Sequence, residues 1–254
     1  MKIRFLGTGA ADWNIDERVE GEFFRRLSSL LVGDDLLIDP GPHIFDFCQK
    51  EDRPALYDGV KNVLITHSHG DHFNADSLLA LIKHGNVHVW CNEATAHKVR
   101  TLTENYTVMR IGEKYNVGAY EVTALFANHS VISMGELAML FAISDGEKNL
   151  FYGCDSAWLP YETWKAMGQF SFDCAVLEVT IGDVPGDHRI FEHNNIEMAR
   201  LMLETMRARN VLGSGGIAIG SHFSRYAHTD HETLKKRLGS FGMMASYDGL
   251  EVEF

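Results

Sequence analysis

Short apolar runs rich in Val, Ile and Leu alternate along the chain with longer amphipathic segments, the pattern of strands interleaved with helices. The apolar runs predict strands at 3–6, 29–32, 36–38, 62–66, 87–91, 120–125, 136–143, 149–152, 174–179, 217–220 and 249–253. Helical periodicity predicts helices at 75–84, 93–103, 161–167, 195–209 and 230–238. The pattern is strongest at 195–209, where Met198, Leu201, Met202 and Met206 form an apolar stripe beside Glu197, Arg200 and Arg207. Those methionines read as core filler rather than a cofactor box. The mixed charge of 12–26 predicts a surface loop.

No Pro-, Gly- or Ser-rich linker, internal repeat or low-complexity tract interrupts this alternation, so residues 1–254 are expected to form one domain. Hydrophobic residues make up 45% of the chain and charged residues 23%, which supplies a large core and carries no signature of disorder. The formal net charge of -12 disfavours a long nucleic-acid ligand, since tight binding to a phosphate backbone needs many Lys and Arg. Cys48, Cys91, Cys154 and Cys174 show no CxxC spacing and read as reduced, buried thiols, which suits a cytoplasmic address. The N-terminal MKIRFLGTGA reaches Gly7 before an apolar signal region forms, and no stretch approaches the roughly 18 apolar residues of a membrane helix.

Thirteen histidines against four cysteines point to imidazole and carboxylate chemistry rather than a thiolate site. The decisive segment is Thr66-His67-Ser68-His69-Gly70-Asp71-His72, which follows the apolar run 62–65 and precedes a helix. A loop of this kind at a strand end can turn His67 and His69 toward one cation and Asp71 and His72 toward a second. Gly70 is expected to relieve crowding where the backbone bends. An HxH alone is often a solvated turn; the added Asp and third His after a buried-type strand weigh against that reading.

This segment is the HxHxDH signature, and the sequence resembles the metallo-β-lactamase superfamily. Other segments match that family in order. Asp39 in LIDPG resembles the aspartate that orients the metal loop, His129 in ANHS the third histidine ligand, Asp155 in YGCDS the bridging aspartate, and His222 in GSHFS the last ligand. The resemblance implies a four-layer αββα sandwich of the α/β (α+β) class, the metallo-β-lactamase fold. It also implies two divalent ions per chain: one on His67, His69, His129 and Asp155, the other on Asp71, His72, His222 and again Asp155. Taken singly, His129 also reads as a core histidine, Asp155 as a helix N-cap and Asp39 as a turn former. Zinc is the default metal, with manganese and iron the alternatives.

Within the superfamily the chain looks closest to the phosphodiesterase group that includes the tRNA 3′-processing endonucleases and the cyclic phosphodiesterase of phosphonate degradation. His193, ahead of the helix at 195, resembles that group's extra catalytic histidine, and HFSRY at 222–226 its terminal-ligand segment. Ser224, Arg225 and Arg26 are candidate phosphate contacts, each with an ordinary surface alternative. No basic or Gly/Pro-rich arm able to grip tRNA is present, so tRNA is disfavoured as a partner. FNAD at 73–76 departs from the group's Gly-containing run, and Asp76 reads as a helix N-cap. His43, His84, His88, His97, His188, His228 and His231 lack ligand spacing, and most are expected at the surface.

The expectation is a metal-dependent hydrolase of a small, cyclic or nucleotide-derived phosphodiester, using a hydroxide shared by two ions. Asp71 would hold a metal and orient the nucleophile, and His193 would assist the leaving group. Rival readings are a lactone, thioester or β-lactam hydrolase on the same site, a redox enzyme with one iron, and a metal-binding protein without catalysis. A homodimer through Trp13, Phe23 or Phe24 stays open.

Overall fold

The computed structural model describes residues 1–14, 24–42, 44–46, 55–131 and 135–254. Two seven-stranded sheets face one another. The first, in spatial order, is β14 (Glu251–Glu253), β1 (Lys2–Gly7), β2 (Ser29–Val32), β3 (Leu36–Ile38), β4 (Asn62–Leu64), β5 (His88–Cys91) and β6 (Tyr106–Val108). The second is β13 (Met244–Ala245), β12 (Leu212–Ser221), β11 (Phe172–Glu178), β10 (Asn149–Gly153), β9 (Glu136–Ser144), β8 (Tyr120–Val131) and β7 (Lys114–Val117). Five α-helices are described over their whole length, α1 (Ala75–His84), α2 (Glu93–Val99), α3 (Tyr161–Met167), α4 (Ile196–Ala208) and α5 (His231–Gly239), and residues 44–46 are also helical. A 3-10 turn spans His188–Phe191.

Three apolar clusters define four layers. Ile3, Leu30, Ile38 and Leu64 of the first sheet meet Val122, Phe141, Tyr152 and Val176 of the second in the middle layer. Leu31, Leu37 and Val63 point outward onto Leu78, Leu81, Ala96 and Val99 of α1 and α2. Phe151, Ala175 and Ala218 point outward onto Met167, Met202, Met206 and Leu234 of α3, α4 and α5. This is the expected αββα sandwich. The inner strands, such as β2, β3, β4 and β11, therefore bury both faces, which is why those segments read as apolar runs rather than alternating ones.

Each sheet is half parallel: β3, β4, β5 and β6 run together, as do β10, β11, β12 and β13. The carboxyl ends of both parallel halves open on one edge of the sandwich, where an open α/β sheet leaves a crevice. Among the described residues no helix is long and apolar enough to cross a membrane.

Several expectations are corrected. In α4 the buried stripe is Ile196, Met198, Ala199, Met202, Leu203 and Met206, while Leu201 is 40% exposed because it lies outside that stripe, beyond its Met198 edge. The N-cap of α1 is Asn74, whose side chain accepts from the Ser77 amide; Asp76 sits inside the first turn. Residues 24–26 are not a solvated loop. The Arg25 guanidinium lies 4.3 Å over the Phe223 ring and donates to Thr8 Oγ1 and the Ser246 carbonyl. Burial drags its pKa down to about 10 against the opposing charge of Asp248. His228 is also internal, with Nε2 donating to the Val179 carbonyl at 2.7 Å. Trp13 donates its indole N–H to the Phe223 carbonyl at 2.7 Å and meets Phe24 edge-on, so both rings pack within the chain. Phe23, His43 and Cys48 lie outside the described residues.

Candidate metal centre

The candidate ligands stand at the carboxyl ends of the parallel strands. Asp39 follows β3, the His67–His72 loop follows β4, Asp155 follows β10 and His222 follows β12. His129 sits near the far end of β8, within an irregularity in the β8–β9 register between Phe126 and Ser130. Such a shift re-aims a side chain relative to its strand. That end of β8 is tied to the Asp155 loop by the Asn128 amide donating to Ser156 Oγ and the Ala157 amide donating to the Asn128 carbonyl.

Residues far apart in sequence thus form two adjoining groups whose ligand atoms all lie within 4.8 Å of one another: His67, His69, His129 and Asp155, then Asp71, His72, Asp155 and His222. In the first, His69 Nδ1 is 3.0 Å from His67 Nε2 and 3.1 Å from His129 Nε2. Asp155 Oδ2 stands 3.4 Å from His67 Nε2 and 3.7 Å from His129 Nε2. In the second, the same Oδ2 is 2.9 Å from His72 Nε2, while Asp71 Oδ2 is 3.4 Å from His72 Nε2 and 3.5 Å from His222 Nε2. One carboxylate oxygen of Asp155 therefore faces both groups.

The hydrogen bonds behind the rings fix which nitrogen points inward. Asp39, fully buried, accepts from the Thr66 amide, from Thr66 Oγ1 and, at 2.7 Å, from His72 Nδ1. With its proton given to Asp39, Thr66 Oγ1 can accept from His67 Nδ1 at 3.0 Å. Thr180 Oγ1 donates to Glu178 Oε2 and so accepts from His222 Nδ1 at 2.8 Å. His129 Nδ1 faces the Glu192 carbonyl at 3.4 Å. In all four rings a proton on Nδ1 leaves the Nε2 lone pair directed at the centre, the arrangement that metal-binding histidines need.

Charge in the site follows from burial and neighbours. Burial, reinforced by the charge on His72, holds His67 well below the ordinary histidine range, and burial with His129 lowers His69. Burial also opposes charge on His72, but Asp71, Asp155 and Asp39 outweigh it and hold its pKa above the ordinary histidine range. For Asp71 and Asp155 burial favours the neutral form, yet the surrounding histidines hold both well below the usual carboxylate range. Asp155 Oδ1 is buried without a hydrogen bond, although the Nδ1 atoms of His193 and His222 are each 3.2 Å away. An orphaned carboxylate oxygen beside converging imidazoles fits a bound cation, and the all-His/Asp donor set suits a hydrolytic metal.

His193 joins the centre from the other side. Its Nδ1 lies 3.2 Å from Asp155 Oδ1 and 3.3 Å from Glu178 Oε2. Burial works against charge on this ring, but the two carboxylates prevail and push its pKa up to about 11, so it carries a proton at neutral pH. Glu178 and Thr180 were not anticipated from the sequence. The signal was an acidic residue closing the apolar run Ala175-Val176-Leu177, where solvation would ordinarily be expected.

The candidate phosphate contacts are placed differently. Ser224 is fully buried with Oγ donating to Asp12 Oδ2 at 2.5 Å, and the Arg225 amide donates to Asp12 Oδ1. The Arg26 amide donates to Asp248 Oδ2, and its guanidinium lies 3.6 Å from the same oxygen. Gly70 does not relieve crowding, since an added Cβ would meet open space. The close approach is at Gly41, where a Cβ would stand 2.6 Å from the Asp71 carbonyl oxygen. Cys154, beside Asp155, is a buried thiol and no ligand group includes it.

Comparison with known proteins gives one family match: the Beta-lactamase superfamily domain, over residues 35–214. No curated protein matches the sequence significantly. Among solved structures, the metallo-beta-lactamase fold protein YhfI from Bacillus subtilis is similar at TM-score 0.76 and 16% identity, covering 100% of this chain and 99% of that one. Zn(2+)-bound PqqB from Methylobacterium extorquens is similar at 0.74 and 15% identity, covering 100% of both chains. The short form of human tRNase Z is similar at 0.72 and 16% identity, covering 100% of this chain and 99% of that one. At these identities the likeness is one of fold.

Proposed function

The chain belongs to the beta-lactamase superfamily, and from that premise we propose that it is a metal-dependent hydrolase of a small phosphodiester, cyclic or nucleotide-derived. The observation that carries the reading is the position of Asp155. Its Oδ2 faces both histidine groups, and its Oδ1 faces a protonated His193.

His67, His69, His129 and Asp155 would hold one divalent ion, and Asp71, His72, Asp155 and His222 the other. Bound there, the ions would supply a water made nucleophilic near neutral pH and would neutralise charge on phosphoryl oxygens. Zinc is the default occupant, with manganese and iron the alternatives. Asp71, facing His72 and His222, orients the attacking water from its side of the pair. His193 holds a proton at Nδ1 between Asp155 and Glu178. Its side chain is 16% exposed, and its Nε2 would donate to a leaving alkoxide. The acidic surface and the absence of a basic arm favour a small substrate over tRNA.

The direct test is turnover of bis(p-nitrophenyl) phosphate and of cyclic nucleotides by protein loaded with zinc or manganese. Turnover that chelation abolishes and metal restores is expected. Activity confined to lactones or thioesters would replace the phosphodiester reading by acyl hydrolysis, and one tightly bound iron with oxygen uptake would replace it by redox chemistry.

A further inference from the structure

Between the two ligands His67 and His69 stands Ser68, a residue whose side chain points away from the centre and into a buried polar knot. The Ser68 amide donates to Glu136 Oε1 at 2.9 Å and the Ser68 hydroxyl donates to Glu136 Oε2 at 2.6 Å. Glu136 is itself 6% exposed and opens β9, in the opposite sheet. Its Oε1 also accepts from Asn92 Nδ2 at 2.7 Å and Thr95 Oγ1 at 2.8 Å. Asn92 is the N-cap of α2, with Oδ1 accepting from the Thr95 amide, and Thr95 lies in the first turn of that helix. Two further bonds brace the segment: the Met139 amide to the Thr66 carbonyl at 3.0 Å and Lys98 Nζ to the Ser68 carbonyl at 3.1 Å.

A buried carboxylate whose hydrogen-bond partners are all neutral is costly unless it secures something, because its desolvation is not offset by a paired charge. Here all four donors converge on it, and two of them come from the one residue that separates two ligands. Ser68 is thereby clamped at both its amide and its hydroxyl, which fixes the backbone dihedrals that aim His67 and His69.

We propose that Glu136 is a positioning residue for the metal loop: from the second sheet it clamps Ser68 and so sets the aim of His67 and His69, but not of Asp71, His72 or His222. The inference rests on the two-group ligand reading above. It departs from a general stabilising role in one respect, namely selectivity for the ion on the His67, His69, His129 and Asp155 side.

The test is calorimetric titration of the metal-stripped full chain with Zn2+ alone, alongside melting of the metal-free protein. Glu136→Ala should weaken one of two binding events by about 10- to 100-fold, the range found when support behind a ligand is lost, and leave the other within about threefold. Glu136→Gln keeps an acceptor for the Ser68 amide, Asn92 and Thr95, and its amide can donate to Ser68 Oγ. It should therefore restore the weakened event to within about threefold of the parent. Should Glu136→Ala fail to fold, Ser68→Ala, which retains the main-chain bond, should weaken the same event by a few-fold. Equal weakening of both events, or two unchanged events in the Ala variants, overturns the inference. A parent protein that binds no Zn2+ overturns the metal-centre reading instead.

Discussion

His193 approaches Asp155 from the side opposite the metal loop: its Nδ1 lies 3.2 Å from Oδ1, while Oδ2 of the same carboxylate faces His67, His72 and His129. The ring that would donate a proton and the carboxylate that would join two ions are thereby held together, with Glu178 Oε2 3.3 Å from the same Nδ1.

The two residues should separate cleanly in function. His193→Ala is expected to lower kcat on a phosphodiester by about 10²- to 10⁴-fold with KM little changed and both ions retained. Asp155→Asn, which removes charge from both groups, is expected to lose ions as well as activity. Steady-state kinetics with elemental analysis distinguishes them, and loss of metal from the His193 variant would reassign that residue to coordination.

Asp39 touches no inward-facing nitrogen, yet it accepts from the Thr66 amide, Thr66 Oγ1 and His72 Nδ1. Asp39→Asn keeps the shape but can present a donor to His72 Nδ1, which disfavours the required tautomer. A drop of about 10- to 100-fold in metal affinity is expected, measured by competition with a chromogenic chelator.

A pH effect on stability follows from His228. Burial, with the nearby charge of Arg25, lowers its pKa from 6.5 to about 4, against the opposing bond to the Val179 carbonyl. The unfolded chain therefore binds the extra proton first as pH falls. The contribution is fully present above pH 6.5 and is lost progressively toward pH 4, on the order of 3 kcal/mol in total. His228→Gln, which can keep the donor to Val179, should flatten the slope of unfolding free energy over that window. A slope equal to the parent's would show that other groups control it.

The described cysteines should be inert. Burial pushes the Cys91 thiol up to about 12, and those of Cys154 and Cys174 higher still. In a Cys48→Ser background the native protein should resist alkylation by iodoacetamide at pH 8, with three thiols reacting after denaturation. Rapid labelling of the native form would mean that the strands carrying them open readily.

The sequence made the centre legible wherever chemistry was dense. His67, His69, Asp71 and His72 crowd one loop, and Asp39, His129, Asp155 and His222 each follow an apolar run, so all are found where strand ends meet. Helices α1 and α3 were bounded correctly because turn residues flank each. What escaped was carried by single residues or weak patterns. Glu136, Glu178 and Thr180 act only through partners 68 to 2 positions away, and no spacing rule announces a lone buried acid. Strands β6 and β7 were missed because they are short and mostly half-exposed, borrowing their pairing from β5 and β8 rather than from their own composition. Strand β12 starts five residues earlier than expected because Leu212 already pairs with Phe172, while Gly213, Ser214, Gly215 and Gly216 fall in a register irregularity before regular pairing resumes at Ile217.

Three of the four non-glycine residues with positive φ among those described are Asp39, Asp155 and His222, at 57°, 58° and 59°. Left-handed backbone is tolerated by Asp and His but favours glycine, each such site costing roughly 1 kcal/mol or more. At these positions selection for robustness and selection for chemistry therefore pull in opposite directions. Drift toward glycine there would yield descendants that fold more securely than their ancestor and do nothing, so a heat-resistant but inert relative should carry its lesions at these three turns.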